Sequence, residues 1–184
     1  MNCCVIHVRI RRPYRALVPL QRLKAAIAQT LAAHQRAKAT LSLIITDDQT
    51  VRRLNLQYRG VDAPTDILSF PYEPFPAALL EETSAALEPT DTDSDESEQD
   101  YLGDLMIALP YAQRHAAELG HPLEDELVLL VVHGTLHLLG YDHDNPENQA
   151  RMWQKQAELL AALGIIGLNI PHFTFGDSHE DAID

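Results

Sequence analysis

His133, His137 and His143 are the residues whose type and spacing promise chemistry, in a stretch running Val-Val-His-Gly-Thr-Leu-His-Leu-Leu-Gly-Tyr-Asp-His-Asp from Val131 to Asp144. Side chains four residues apart on a helix lie one above the other, so His133 and His137 share a face. Gly140 stands where helices commonly stop in a left-handed turn, and the turned chain can bring His143 back towards the other two. Three neutral imidazoles around an open fourth position is the donor set of a catalytic zinc. Such a Zn2+, one per chain, lowers the pKa of its water towards ~7 and polarises a substrate oxygen. Nickel or copper would bind the same imidazoles more tightly by the Irving–Williams order. The plainer reading is two core histidines and a stray loop histidine; convergence of all three where the helix breaks argues against it.

The residues around this trio narrow the reaction. The spacing matches the zinc-peptidase pattern H-E-x-x-H-x-x-G-x-x-H except that Gly134 replaces the glutamate that acts as base. A zincin-type peptidase is therefore the alternative activity, and Gly134→Glu is the change expected to restore its base. Phosphodiester cleavage asks more for positive charge on the phosphorane oxygens, which the bidentate fork of an arginine supplies. Arg59 is the candidate for that contact, against a plainer role as a helix-end cation pairing Asp62 or Asp66. Asp142 and Asp144 flank His143, and either can orient a ligand imidazole or act as base. A non-catalytic RNA-binding factor whose zinc is structural is a further alternative; it requires a fourth protein ligand.

The elements that must position these groups read as one α+β domain. They form a small mixed sheet of about four strands packed with helices, with a zincin-like central helix carrying the metal ligands. Residues 3–11 alternate from Ile6 onward as a half-buried strand, and Thr40 to Thr46 reads as a second. Leu20, Leu23, Ile27 and Leu31 are spaced as a helix reaching towards Ala37. Asp47 caps another that carries Val51, Leu54 and Tyr58 and ends near Arg59 and Gly60. Ile67 to Phe70 and Tyr101 to Leu109 are strands of a hairpin whose tip is extended by an insertion; a break at Gly103-Asp104 is expected in the second. Pro110 opens a helix stopping at Gly120. Pro122 opens the metal-bearing helix, apolar all round from Leu127 to Val132 and so central. Pro146 opens the last helix, with Met152, Trp153, Leu159, Leu160 and Leu163 apolar and Gly164 its stop. His34, His115 and His121 lack ligand spacing and are left out of the site.

The formal charge of −13 conceals an asymmetry. Residues 73–100 hold ten acids and no Lys or Arg, and the tail from Asp177 holds four more. Residues 1–60 hold eleven Lys or Arg against two acids, a balance that permits nucleic-acid binding locally. Residues 1–166 are expected to be the single domain, with 73–100 a largely disordered acidic loop insertion and 167–184 an acidic tail. No leader pattern and no bilayer-length apolar run is seen. Adjacent Cys3 and Cys4 cannot staple distant segments. They fit a first strand as small hydrophobes, and a cytoplasmic, membrane-free location is expected.

Three blocks of this sequence resemble the YbeY family of bacterial metal-dependent endoribonucleases. They are Leu54-Asn55-x-x-Tyr58-Arg59-x-x-Asp62-x-Pro64-Thr65-Asp66-Ile67-Leu68-Ser69-Phe70, then Leu102-Gly103-Asp104, then His133-Gly134-x-Leu136-His137-Leu138-x-Gly140-Tyr141-Asp142-His143. With the element order they cover about residues 3–164, less the insertion. The resemblance implies that the family's three zinc ligands fall on His133, His137 and His143 and its functional arginine on Arg59. It implies a single-strand-specific endoribonuclease of ribosomal RNA maturation and small-subunit quality control. Its partners would be ribosomal RNA and the small ribosomal subunit, with no DNA. The acidic insertion and tail depart from the family pattern and bear on how RNA approaches.

Overall fold

The computed structural model describes residues 4–72, 87–90 and 100–168. Strand β1 (Val5–Arg11) leads through a short 3-10 helix, Arg12–Leu17, into helix α1 (Leu20–Ala33). Strand β2 (Thr40–Thr46) and helix α2 (Asp48–Arg59) follow, then β3 (Ile67–Pro71), β4 (Leu87–Thr90) and β5 (Tyr101–Ala108). Three helices close the chain: α3 (Leu109–Leu119), α4 (Leu123–Leu138) and α5 (Pro146–Ala162). The sheet order is β3-β5-β2-β1-β4. β2 runs parallel to β1 and β5, while β3 and β4 are antiparallel to their neighbours, so the sheet is mixed.

Period-two alternation sorts the strand residues onto two faces. Val8, Ile10, Leu41, Leu43, Ile45, Ile67, Leu105 and Ile107 join the larger core, which α1, α4 and α5 cover. Ile44, Leu68, Met106 and Ala108 point the other way, against Val51 and Leu54 of α2. Helix α2 starts where the Asp47 carboxylate accepts the Thr50 N–H at 2.8 Å, as an N-cap aspartate should. Helix α4 is central, with every residue from Glu126 to Leu136 buried. It touches α1, α3, α5, β3 and β5.

The structure changes several boundaries. Helix α1 ends at Ala33 rather than Ala37, because Gln35 turns left-handed and the Arg36 N–H bonds the Leu31 carbonyl. The expected break at Gly103-Asp104 is a bulge inside a continuous β5, where the register against β2 shifts between Thr40 and Ser42. The expected hairpin is the antiparallel β3–β5 pair. Within the insertion, Leu87–Thr90 is not loop. It adds a fifth, edge strand, with Val8 opposite Thr90 and Arg11 opposite Leu87. A charge-rich segment can do this because edge pairing needs only main-chain groups on one side. Residues 73–86, 91–99 and 169–184, where the rest of the expected loop and nearly all of the tail fall, lie outside the described residues, as do Met1 to Cys3. Cys4 is half-buried against the core. Among the described residues no helix is long and apolar enough to cross a membrane.

The basic excess of the first sixty residues is partly neutralised. Arg11 pairs with Asp47, Arg22 with Glu124 and Asp125, Arg36 with Asp100, and Arg52 with Asp62. Asp100, the last acid of the insertion, is thereby tied to the end of α1.

Candidate metal centre

Helix α4 places His133 and His137 on one stripe, and the chain after it brings in His143. Gly140 ends the helix with φ at +87°, a conformation that side-chain-bearing residues adopt at a cost. The Tyr141 N–H returns to the Leu136 carbonyl at 3.0 Å, and that turn sends His143 towards its two partners. The ligating atoms of the three imidazoles lie within 4.8 Å of one another. His133 is buried, and the other two are half-buried.

Each imidazole on the helix has one nitrogen committed outward. Gln156 Oε1 sits 2.9 Å from His133 Nδ1, and the Tyr141 carbonyl oxygen 3.0 Å from His137 Nδ1. Both partners are acceptors, so each Nδ1 donates and each neutral ring carries its lone pair on Nε2. Those two Nε2 atoms face each other at 3.1 Å. Two nitrogens ~2.0–2.1 Å from a tetrahedral ion stand about 3.3 Å apart, so the pair is already close to the bite of zinc. Burial drives His133 down to a pKa of about 3 and His137 to about 4, with His137 and His143 pushing His133 further and His143 pushing His137. His143 is lowered too, again mainly by burial. Neutral imidazoles with opposed lone pairs fit a metal cation, and burial disfavours the protonated form of each. Trp153 covers the group, its ring 5.4 Å from that of His143 and 5.9 Å from that of His133.

Arg59 lies within electrostatic reach of this centre. The residue is exposed, yet its guanidinium is close enough to buried groups that desolvation lowers its pKa, against the raising effects of Asp142 and Asp66. Its charge acts on both His137 and His143. Of the two acids in the plainer role, Asp66 acts on Arg59 through its charge, and Asp62 is held by Arg52 in a two-pronged contact at 2.6 and 2.8 Å. Asp142 accepts the His143 main-chain N–H at 2.7 Å, and its charge acts on His137, His143 and Arg59. Asp144 accepts from the Asn145 and Asn148 amides at 3.0 and 2.8 Å, which anchors the start of α5.

Three contributors escaped the sequence reading: Gln156, Trp153 as a cover, and the Tyr141 carbonyl. Gln156 left a signal, as the one polar side chain in the buried stripe Met152, Gln156, Leu159, Leu160. A polar residue on an apolar stripe must find a partner there. His34, excluded for its spacing, is the hydrogen-bond partner of the Tyr141 hydroxyl at 3.1 Å and so steadies the turn.

Gly134 overturns one expectation. A Cβ placed there would stand 2.7 Å from a Leu105 methyl, 2.8 Å from an Ile67 methyl and 3.1 Å from Ser69 Oγ. The residue faces the sheet, and a glutamate at 134 would have to displace these side chains. Even alanine forces a core shift of about 1–3 kcal/mol, set against a helix-propensity gain of ~1 kcal/mol. Glutamate adds a carboxylate to a buried position. Gly134→Glu is expected to abolish cooperative folding, read by thermal melting; a soluble variant with the wild-type midpoint would refute this packing.

Comparison with known proteins follows the same outline. A family model described as Endoribonuclease YbeY matches residues 13–164. The Endoribonuclease YbeY of Roseiflexus sp. (strain RS-1) is 41% identical over 162 residues, 87% of this chain and 93% of that one. That of Shouchella clausii is 41% identical over 142 residues, 75% of this chain and 79% of its own. The solution structure of the Thermotoga maritima protein TM1509 superposes with a TM-score of 0.55 at 24% identity. It covers 86% of this chain and 89% of the other, a likeness of fold.

Proposed function

The chain belongs to the endoribonuclease YbeY family, and on that premise we propose that it is a zinc-dependent endoribonuclease cutting single-stranded segments of ribosomal RNA. The observation that carries the reading is the convergence of His133, His137 and His143 with the guanidinium of Arg59 acting on two of them. In this reading the three imidazoles hold one Zn2+ through their Nε2 atoms, Gln156 and the Tyr141 carbonyl keep the two helix-borne rings aimed, and Trp153 excludes water from one side. When bound, the ion supplies Lewis acidity and acidifies the attacking water. Arg59 binds the scissile phosphate and stabilises the charge that grows on it. Asp142 holds the His143 backbone and stands within electrostatic reach of the phosphate site, the better placed of the two candidate bases. Asp144 fixes the turn into α5.

The reading extends to ribosomal RNA maturation, small-subunit quality control and a cytoplasmic setting, with the small ribosomal subunit as partner. The peptidase alternative loses support because its glutamate has no room at 134. The test is paired: metal-replete protein with ribosomal RNA and with casein, each with and without chelator. Metal-dependent RNA cleavage that weakens steeply as salt rises, with casein intact, is the expected result. Casein cleavage without RNA cleavage under any metal would overturn the proposal.

A further inference from the structure

Two turns before His133 on the same helix, a second group of donors converges in the interior. Glu126 of α4 is fully buried. His115 of α3 places Nδ1 at 2.7 Å from Glu126 Oε1, and His121 of the α3–α4 turn places Nε2 at 2.5 Å from Oε2. Asp66, buried at the entrance to β3, completes the set; one donor atom each from Asp66, His115 and Glu126 lies within 4.8 Å of the others. The Asp66 Oδ1 accepts the Ile67 N–H at 2.7 Å and the Thr65 hydroxyl at 3.0 Å. These bonds favour its ionised form, whereas burial and the Glu126 charge raise its pKa. Two carboxylates so close in the interior call for a compensating cation.

We propose that Asp66, His115 and Glu126 form a second divalent-cation site, with His121 holding the Glu126 carboxylate in place. Two oxygens and one imidazole nitrogen suit a borderline ion such as Zn2+ or Mn2+. Binding replaces the hydrogen bond between His115 Nδ1 and Glu126 Oε1 with one bond from each atom to the ion. The His115 side chain, 21% exposed, gives the way in. Seven residues of helix separate Glu126 from His133, roughly 10 Å along the axis. Paired catalytic metals stand ~3.5–4 Å apart, so this ion does not share the reaction. It joins α3, α4 and the start of β3, and it fixes Asp66, whose charge acts on Arg59.

The proposal stands independently of the first centre. Zn2+ is titrated into the full chain by equilibrium dialysis with elemental analysis, in wild type, His137→Ala, His115→Ala and the double variant. The expected stoichiometries are about two, one, one and none, and Zn2+ should raise the melting temperature of His137→Ala but not of the double variant. Asp66→Asn, nearly the same shape, should match His115→Ala. A His137→Ala protein that binds no Zn2+ overturns the second site, and that arm leaves the second cluster intact, so misfolding there cannot explain it. Two equivalents retained in both His115→Ala and Asp66→Asn would overturn it equally.

Discussion

His137→Ala is expected to lower bound metal by one equivalent and to abolish RNA cleavage while the fold persists. The imidazole is half-buried at the mouth of the centre, so its removal opens space to solvent and leaves the α4 core, Leu127 to Leu136, untouched. It also removes one of the two opposed lone pairs, leaving His133 and His143 to hold an ion alone. Losing an outer partner of a metal ligand typically costs 10–100-fold in affinity, and losing the ligand itself costs more. Gln156→Leu, which strips the acceptor from His133 Nδ1 and keeps the packing, should fall in that smaller range. Elemental analysis after mild chelation, beside cleavage of ribosomal RNA, reads both. Wild-type metal content and cleavage in His137→Ala would remove the trio from the reaction.

Arg59→Ala is expected to keep the metal and lose most of the cleavage. An arginine cannot ligate zinc, so its effect on metal content should be nil, in contrast to His137→Ala. A donor that acts mainly in the transition state contributes on the order of 10²–10³ in rate, and the deficit should appear in kcat more than in KM. Lysine should restore only part, because an ammonium cannot reproduce the two-pronged contact with phosphate oxygens. Arg52→Ala is the matched control: two turns away on α2, committed to Asp62 and exposed, it should change cleavage little. Full cleavage by Arg59→Ala would leave the metal centre in place and take the arginine out of it.

The trio was legible because the α-helical repeat and a helix-stopping glycine convert sequence spacing directly into proximity. The strands were legible for a similar reason: alternation in Thr40 to Thr46 assigns Leu43 and Ile44 to opposite faces without knowledge of their neighbours. What stayed hidden depends on contacts between distant elements. His115 and His121 have no ligand spacing because their partner, Glu126, is brought to them by the α3–α4 turn. Gly134 read as a missing base because a pattern says nothing of which way a helix faces; packing against Leu105 and Ile67 gives the reason for glycine. Strand β4 was invisible because edge pairing is written in the main chain, and its four residues, Leu-Glu-Pro-Thr, show no apolar alternation.

The third imidazole differs in kind from the first two. His133 and His137 ride on a helix wedged against the sheet, their Nε2 atoms 3.1 Å apart. His143 rides on the exposed segment between Gly140 and Pro146, held by its own N–H on Asp142 and by the anchors of Asp144. A metal held as proposed would sit on a fixed two-toothed clamp from the helix, with the loop-borne imidazole as the third tooth. Changes at Asp142 or Asp144 are then expected to act on that third tooth and to leave the helix-borne pair in place.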